Sequence, residues 1–173
     1  VARDDILNTA LTLLDESGGQ GLTMRGLATR LGVTPMSLYH HVGDQAGLLR
    51  ALSDRVYAEA LGETAGLSDH RSEIRTLLTR YHHAVGRHPQ LTLAIFATPE
   101  AFAGVTRQIT DRLTTLLAEI TAEPTLWRDI LVDHAHGSGL SLAAVRGEQM
   151  LPQTIEEQYR RALDHLLDRL AGP

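Results

Sequence analysis

Apolar residues recur along this chain at intervals of three and four, and no stretch sustains the strict alternation of a half-buried strand. Over residues 3–17 the stripe is Ile6, Leu7, Ala10, Leu11 and Leu14, and Gly18, Gly19 and Gly21 then stop the helix. Thr23 stands as the N-cap of a short helix ending at Leu31 and Gly32. Thr34 followed by Pro35 opens a second short helix that ends near Val42 and Gly43, a hydroxyl cap with proline at the first helical position. Asp44 caps a longer helix bearing Leu48, Leu49, Leu52 and Val56.

Residues 62–69, GETAGLSD, are rich in turn formers and read as a linker, placing one domain at 1–61 and another at 62–173. Beyond it the pattern predicts helices over 70–87, 91–97, 99–121, 125–145 and 154–170, three of them preceded or opened by Pro89, Pro99 and Pro124. The expected fold is all-α: an N-terminal three-helix helix-turn-helix domain with a linking fourth helix, followed by a C-terminal helical domain.

Composition narrows the functions. Of 173 residues 43% are hydrophobic but only 4% aromatic, so aliphatic side chains must fill the core. With no cysteine, disulfides, thiolate metal ligands and cysteine nucleophiles are excluded. The opening VARDDILNTA does not read as a signal peptide and no apolar run approaches a membrane span, so the expected location is the cytoplasm, with no membrane partner. The net charge of −5 offers no general attraction to phosphate, yet residues 20–50 hold Arg25, Arg30 and Arg50 against the single acid Asp44.

The stretch TMRGLATRLGVTPMSLYHHV, residues 23–42, carries the strongest functional pattern. Ala28 is small enough for a second helix to cross closely above it. Gly32 supplies the left-handed backbone of a tight turn. Leu27, Leu31, Val33 and Leu38 point inward and hold the crossing angle, because helices this short are marginal alone. The second helix then presents Thr34, Met36, Ser37, Tyr39, His40 and His41 outward, where they can reach base edges and phosphates from a major groove.

Residues 6–57 resemble the DNA-binding domain of the tetracycline-repressor (TetR) family, on the strings LTMRGLATRLGV, SLYHHV and LLRALSDRV. The resemblance implies three N-terminal helices and a fourth leading into a helical ligand-binding and dimerisation domain. It also implies residue roles. Arg25 matches a position that contacts a base or a phosphate; Pro35, Met36 and Ser37 match variable base-reading positions. Tyr39 and His41 match residues that touch phosphate or a thymine methyl. Gln45 stands where the family often has a phosphate-binding Lys, which lowers the expected counterion release. The implied partners are a double-stranded DNA operator, a second copy of the chain and an unknown small-molecule inducer.

The second domain resembles the family's C-terminal domain more weakly, through RYHHAVGRHPQL and LVDHAHGSGLSL. Two helices carry wide apolar stripes suited to a homodimer interface: Trp127, Leu131 and Leu142 on one, Tyr159, Leu163, Leu166 and Leu170 on the other. The alternative is that both stripes face the chain's own core. Gly137, Ser138, Gly139 and Ser141 allow close helix approach. A ligand pocket is expected between the helices of 44–61, 70–87, 99–121 and 125–145. Its candidates are Tyr81, His82, Phe96, Phe102, Trp127 and His134, with plain core filling as the alternative for the aromatics. His134 and His136 diverge by about 200° on a helix, and His83 and His88 are also misaligned, so no metal or other cofactor is expected. No phosphate loop, nucleophile elbow or paired-carboxylate arrangement stands out, so no catalytic residue and no enzyme is expected. The competing reading is an architectural DNA-binding protein with no ligand, which requires a solid second domain.

Overall fold

The computed structural model describes residues 1–63, 69–144 and 152–170; most of the expected linker and Val145 of the expected 125–145 helix lie outside these. The described residues form helices α1 (Arg3–Gly21), α2 (Met24–Leu31), α3 (Pro35–Val42), α4 (Gln45–Tyr57), α5 (His70–Arg87), α6 (Pro89–Phe96), α7 (Val105–Ala118), α8 (Pro124–Ala144) and α9 (Pro152–Arg169). Single 3-10 turns stand at Ala58–Leu61 and Pro99–Ala101. Among the described residues there is no strand, as the periodicity predicts.

Two boundaries differ from the pattern. Glycine interrupts the helical backbone of α1 at Gly18, after which a further turn runs to Gly21. The helix expected from Pro99 starts only at Val105: the 3-10 turn stops at Ala101 with Phe102 at φ −76, ψ 86, and Gly104 takes φ 59 just before α7. Asp54 of α4 fills the gap: its Oδ1 accepts the Val105 N–H at 2.9 Å and so caps α7.

The chain divides into two compact units, Val1–Val56 with His88–Thr106, and Tyr57–Arg87 with Arg107–Pro173. This departs from a cut at 61/62 because α6 packs on α1 and belongs to the first unit. There the stripe Ile6, Leu7, Ala10 and Leu14 is buried, together with Leu27, Ala28, Leu38, Leu48, Leu52 and, from α6, Leu91 and Ile95. Burying each of the larger side chains contributes roughly 1.5–3 kcal/mol. Polar clamps tie α1 to its neighbours. Arg30 grips Glu16 through two N–H groups at 2.9 and 3.2 Å, and Arg55 donates to Asn8 Oδ1 at 2.6 Å and to Asp4.

In the second unit α5 is central and packs most extensively on α8. The approach is close: a Cβ at Gly139 would lie 2.7 Å from Val85 Cγ1. Of the small residues of α8, Gly139 and Ser138 therefore serve contact with α5, whereas Gly137 and Ser141 are exposed. Ile74, Leu78, Leu113, Leu117, Leu131 and Leu163 fill the core. We expect Gly139→Val to overpack this seam and lower the unfolding free energy by roughly 1–3 kcal/mol in chemical denaturation; an unchanged midpoint would contradict the close approach.

Candidate functional site

The helix-turn-helix assembles as its residue types demand. Thr23 Oγ1 accepts the Gly26 N–H at 3.0 Å and starts α2. Gly32 ends it at φ 67, ψ 30, a left-handed conformation that costs a residue with Cβ more than glycine. The Val33 N–H donates to Ala28 O at 3.0 Å across the turn. Thr34 Oγ1 then accepts the Ser37 N–H at 3.3 Å, with Pro35 at the first helical position of α3. Leu38 and Val42 point inward, at 0% and 8% exposure.

The opposite face of α3 is open. Met36 is 64% and Tyr39 45% exposed, large apolar surface that a folded unit ordinarily hides. Thr34, Pro35, His40 and His41 are also exposed and Ser37 is half-buried, while Arg25 stands exposed on α2. The structure thus brings all the expected reading residues of α3 to one short helix. Gln45 is engaged elsewhere: its Nε2 donates to Leu22 O at 3.0 Å, bracing α4 against the segment before α2. One contact has no clear mark in the sequence pattern. Arg3 Nη1 donates to His41 O at 2.7 Å and ties the start of α1 to the last turn of α3. Its only advance trace is a lone Arg at the chain's first helical position.

The expected ligand residues separate. Phe96 and Phe102 belong to the first unit and are exposed. Trp127 is half-buried at the start of α8 in the second unit. Tyr81, His82 and His134 come together in a buried polar layer of that unit. Tyr81 Oη pairs with His136 Nε2 at 2.6 Å, and His82 Nε2 with Ser138 Oγ at 2.9 Å. Tyr159 lies between two imidazoles, stacked on His82 at 3.8 Å and 2° and on His134 at 4.9 Å and 21°. Its hydroxyl donates to Leu78 O at 3.3 Å. His134 and His136, two residues apart, face Tyr159 and Tyr81 respectively.

A cleft of about 350 Å³ opens beside this layer, with Arg80, His82, Tyr159 and Arg160 among its walls. It lies between α5, the turn Ala58–Leu61 and α9; it shares 44–61 and 70–87 with the expected pocket but takes α9 in place of 99–121 and 125–145. Of the expected ligand residues it takes His82 alone. The expected interface residues fall mostly inside the unit: Leu131, Leu142, Tyr159, Leu163 and Leu170 are at most 6% exposed within a single chain. Trp127 and Leu166 are half-buried. Within a single chain, most of these stripe residues are thus covered by the chain's own core.

Burial lowers the histidines' affinity for protons. His82 is pushed down to about 4, first by burial and then by His134 and His83; burial also lowers His134 and His136. Below pH about 6.5 the unfolded chain takes up protons that the folded unit refuses until about pH 4. Stability supplied by the neutral rings is therefore complete above about 6.5 and drains away towards 4. We expect the urea midpoint to fall across that window and His82→Asn to flatten the slope. A midpoint independent of pH there would contradict the buried neutral layer.

The family model for bacterial regulatory proteins of the tetR family matches residues 6–52. The class D tetracycline repressor of Escherichia coli is 35% identical over 95 residues, 50% of this chain and 44% of that protein. An HTH-type transcriptional regulator of Saccharopolyspora erythraea is 28% identical over 99% of this chain and 71% of its own length. The chain thus spans less than half the length of the tetracycline repressor it matches. Among solved structures, BioQ of Mycobacterium smegmatis superposes with TM-score 0.81 at 26% identity, covering 99% of this chain and 98% of that one. BioQ with its natural double-stranded DNA operator gives TM-score 0.76 at 26% identity, covering 100% and 99%. The family match falls on the helices that set α3 and its open face, so residues 6–52 match the helix-turn-helix segment of bacterial regulatory proteins of the tetR family, and the likeness in fold to BioQ extends through the second unit.

Proposed function

We propose that this chain is a cytoplasmic, homodimeric repressor that holds a palindromic DNA operator through α3 and lets it go when a small ligand enters the second unit. The observation that carries DNA reading is the exposed face of an otherwise buried α3: Thr34, Pro35, Met36, Tyr39, His40 and His41, with Arg25 beside them on α2. Such a helix suits a major groove. The operator-bound BioQ structure, similar over the whole chain, supports the same use. In this reading Arg25, Tyr39 and His41 position the protein on phosphates, while Pro35, Met36 and Ser37 meet bases. Gln45 contributes through its hold on Leu22 O, with the remaining amide capacity open to a phosphate. No described helix is long and apolar enough to cross a membrane.

For the dimer, the favoured surface is the outward face of α8. Leu126 is 52% and Ile130 36% exposed, and Gly137 and Ser141 continue the same face further along. Trp127 and Leu166 remain partly reachable. A two-fold pair of such chains would present two α3 helices to half-sites about one DNA turn apart.

Ligand release is favoured over an architectural role because the second unit is not solid: besides the first cleft, a second of about 320 Å³ lies beside Ala60, Leu77, Gln108 and Arg112. A ligand preferring a conformation unable to span both half-sites weakens operator binding by the factor by which operator weakens the ligand. The chain runs from one unit into the other at α4, at the α5–α6 junction and in α7. Arg25→Ala and Tyr39→Ala are each expected to weaken binding to DNA selected from a random pool by roughly 1–3 kcal/mol, measured by fluorescence anisotropy. Unchanged affinity in both, with helicity intact, would defeat the assignment. Ile130→Arg is expected to convert a dimer to monomers in sedimentation; a dimer surviving it places the contact elsewhere.

A further inference from the structure

The cleft between α5, the turn Ala58–Leu61 and α9 is unbalanced in charge. Each of its two carboxylates already has a neighbour: Glu59 Oε2 lies 3.5 Å from Arg87 Nη1, and Glu156 Oε1 lies 3.6 Å from the imidazole Nδ1 of His83. Its two guanidiniums do not have anionic ones. Arg80 spends Nη2 on the Glu63 carbonyl at 3.1 Å, while its Nη1 is buried with no acceptor among the described residues. Arg160 is exposed at the rim and, among the described residues, has no carboxylate within ion-pair distance. Arg80 and Arg160 therefore stand at the cleft without a carboxylate partner among the described residues, a charge that an anion placed between them would offset.

The inner wall has a different character. His82 and Tyr159 lie face to face there at 3.8 Å and are almost wholly buried. His82 is held by Ser138 Oγ at 2.9 Å, and its neutral ring adds no third cation. The volume of about 350 Å³ falls at the lower end of small-molecule sites, roughly 300–1,000 Å³. We propose that this cleft binds an organic anion, a carboxylate borne on one or two flat rings. The carboxylate would lie against Arg80 and Arg160, and the rings against the Tyr159–His82 wall. Guanidinium forks match a planar carboxylate, and aromatic walls match a flat apolar body. This names a ligand class for the second unit. Only its effect on DNA rests on the release reading above.

The test is calorimetric titration of the full chain with 2-naphthoate and with its neutral isostere 2-naphthamide. Naphthoate is expected to bind once per chain, about tenfold more tightly than the amide, as charge-assisted bonds to guanidinium predict. Arg160→Gln, on the exposed rim, and Arg80→Met are each expected to weaken naphthoate by a similar factor of about ten. Arg161→Gln, next in sequence but outside the cleft walls, should leave it unchanged. Equal affinity for acid and amide, no binding of naphthoate, or an affinity unmoved in both cleft variants would overturn the proposal. Naphthoate that binds as described without shifting DNA affinity upholds the anion site and counts against release through this cleft.

Discussion

Helices α2 and α3 are eight residues each, too short to persist alone in water, where helices below about 12 residues are marginal. Their existence depends on apolar burial against α1. The stripe Ile6, Leu7, Ala10 and Leu14 is at most 5% exposed, and Leu27, Ala28 and Leu38 are buried with it. Once the inward faces of α2 and α3 are committed, the orientation of α3 follows, and its remaining face is left to solvent. The exposed face of α3, the proposed recognition surface, is therefore a by-product of core packing. Caps and clamps refine it: Thr34 sets where α3 begins, and Arg3 holds the carbonyl of His41 where it ends.

The second unit meets a different demand. Its core contains tyrosines and histidines where an ordinary helical domain would place leucine. Buried polar groups are tolerated when they find partners, and the pairs Tyr81–His136 and His82–Ser138, with Tyr159 bonded to Leu78 O, supply them. Two buried nitrogens among the described residues stand apart, Arg80 Nη1 and His134 Nδ1. Arg80 lines the cleft, and His134 stacks on Tyr159, another of its walls. The polar layer thus makes the unit's stability sensitive to acid and leaves its chemistry uneven near the cleft.

The helix-turn-helix was legible because its constraints are local. Caps such as Thr23, Thr34 and Asp44 act over three residues, and a left-handed turn at Gly32 needs only the glycine itself. The helix expected from Pro99 differs from the structure for a related reason: proline signals a start but does not fix whether one turn or many follow. Gly104 and the long-range cap from Asp54 decide that, and Asp54 lies 51 residues away. The stripes of α8 and α9 were legible as apolar faces but not as to what they face. Periodicity reports that a side must be covered; it is silent on whether the cover is α5 or another chain.

The same limit separates the two kinds of site. Residue order alone determined the all-α class, the short helices of the reading motif and the outward set from Thr34 to His41, because helical period and capping are near-neighbour properties. Only the tertiary structure decided that α6 joins the first unit and that Gln45 turns to Leu22 O. It alone set Tyr159 between His82 and His134 and gathered Arg80 and Arg160 at one cleft. Those side chains lie tens of residues apart in sequence, and their proximity arises from helix packing, which no local periodicity encodes.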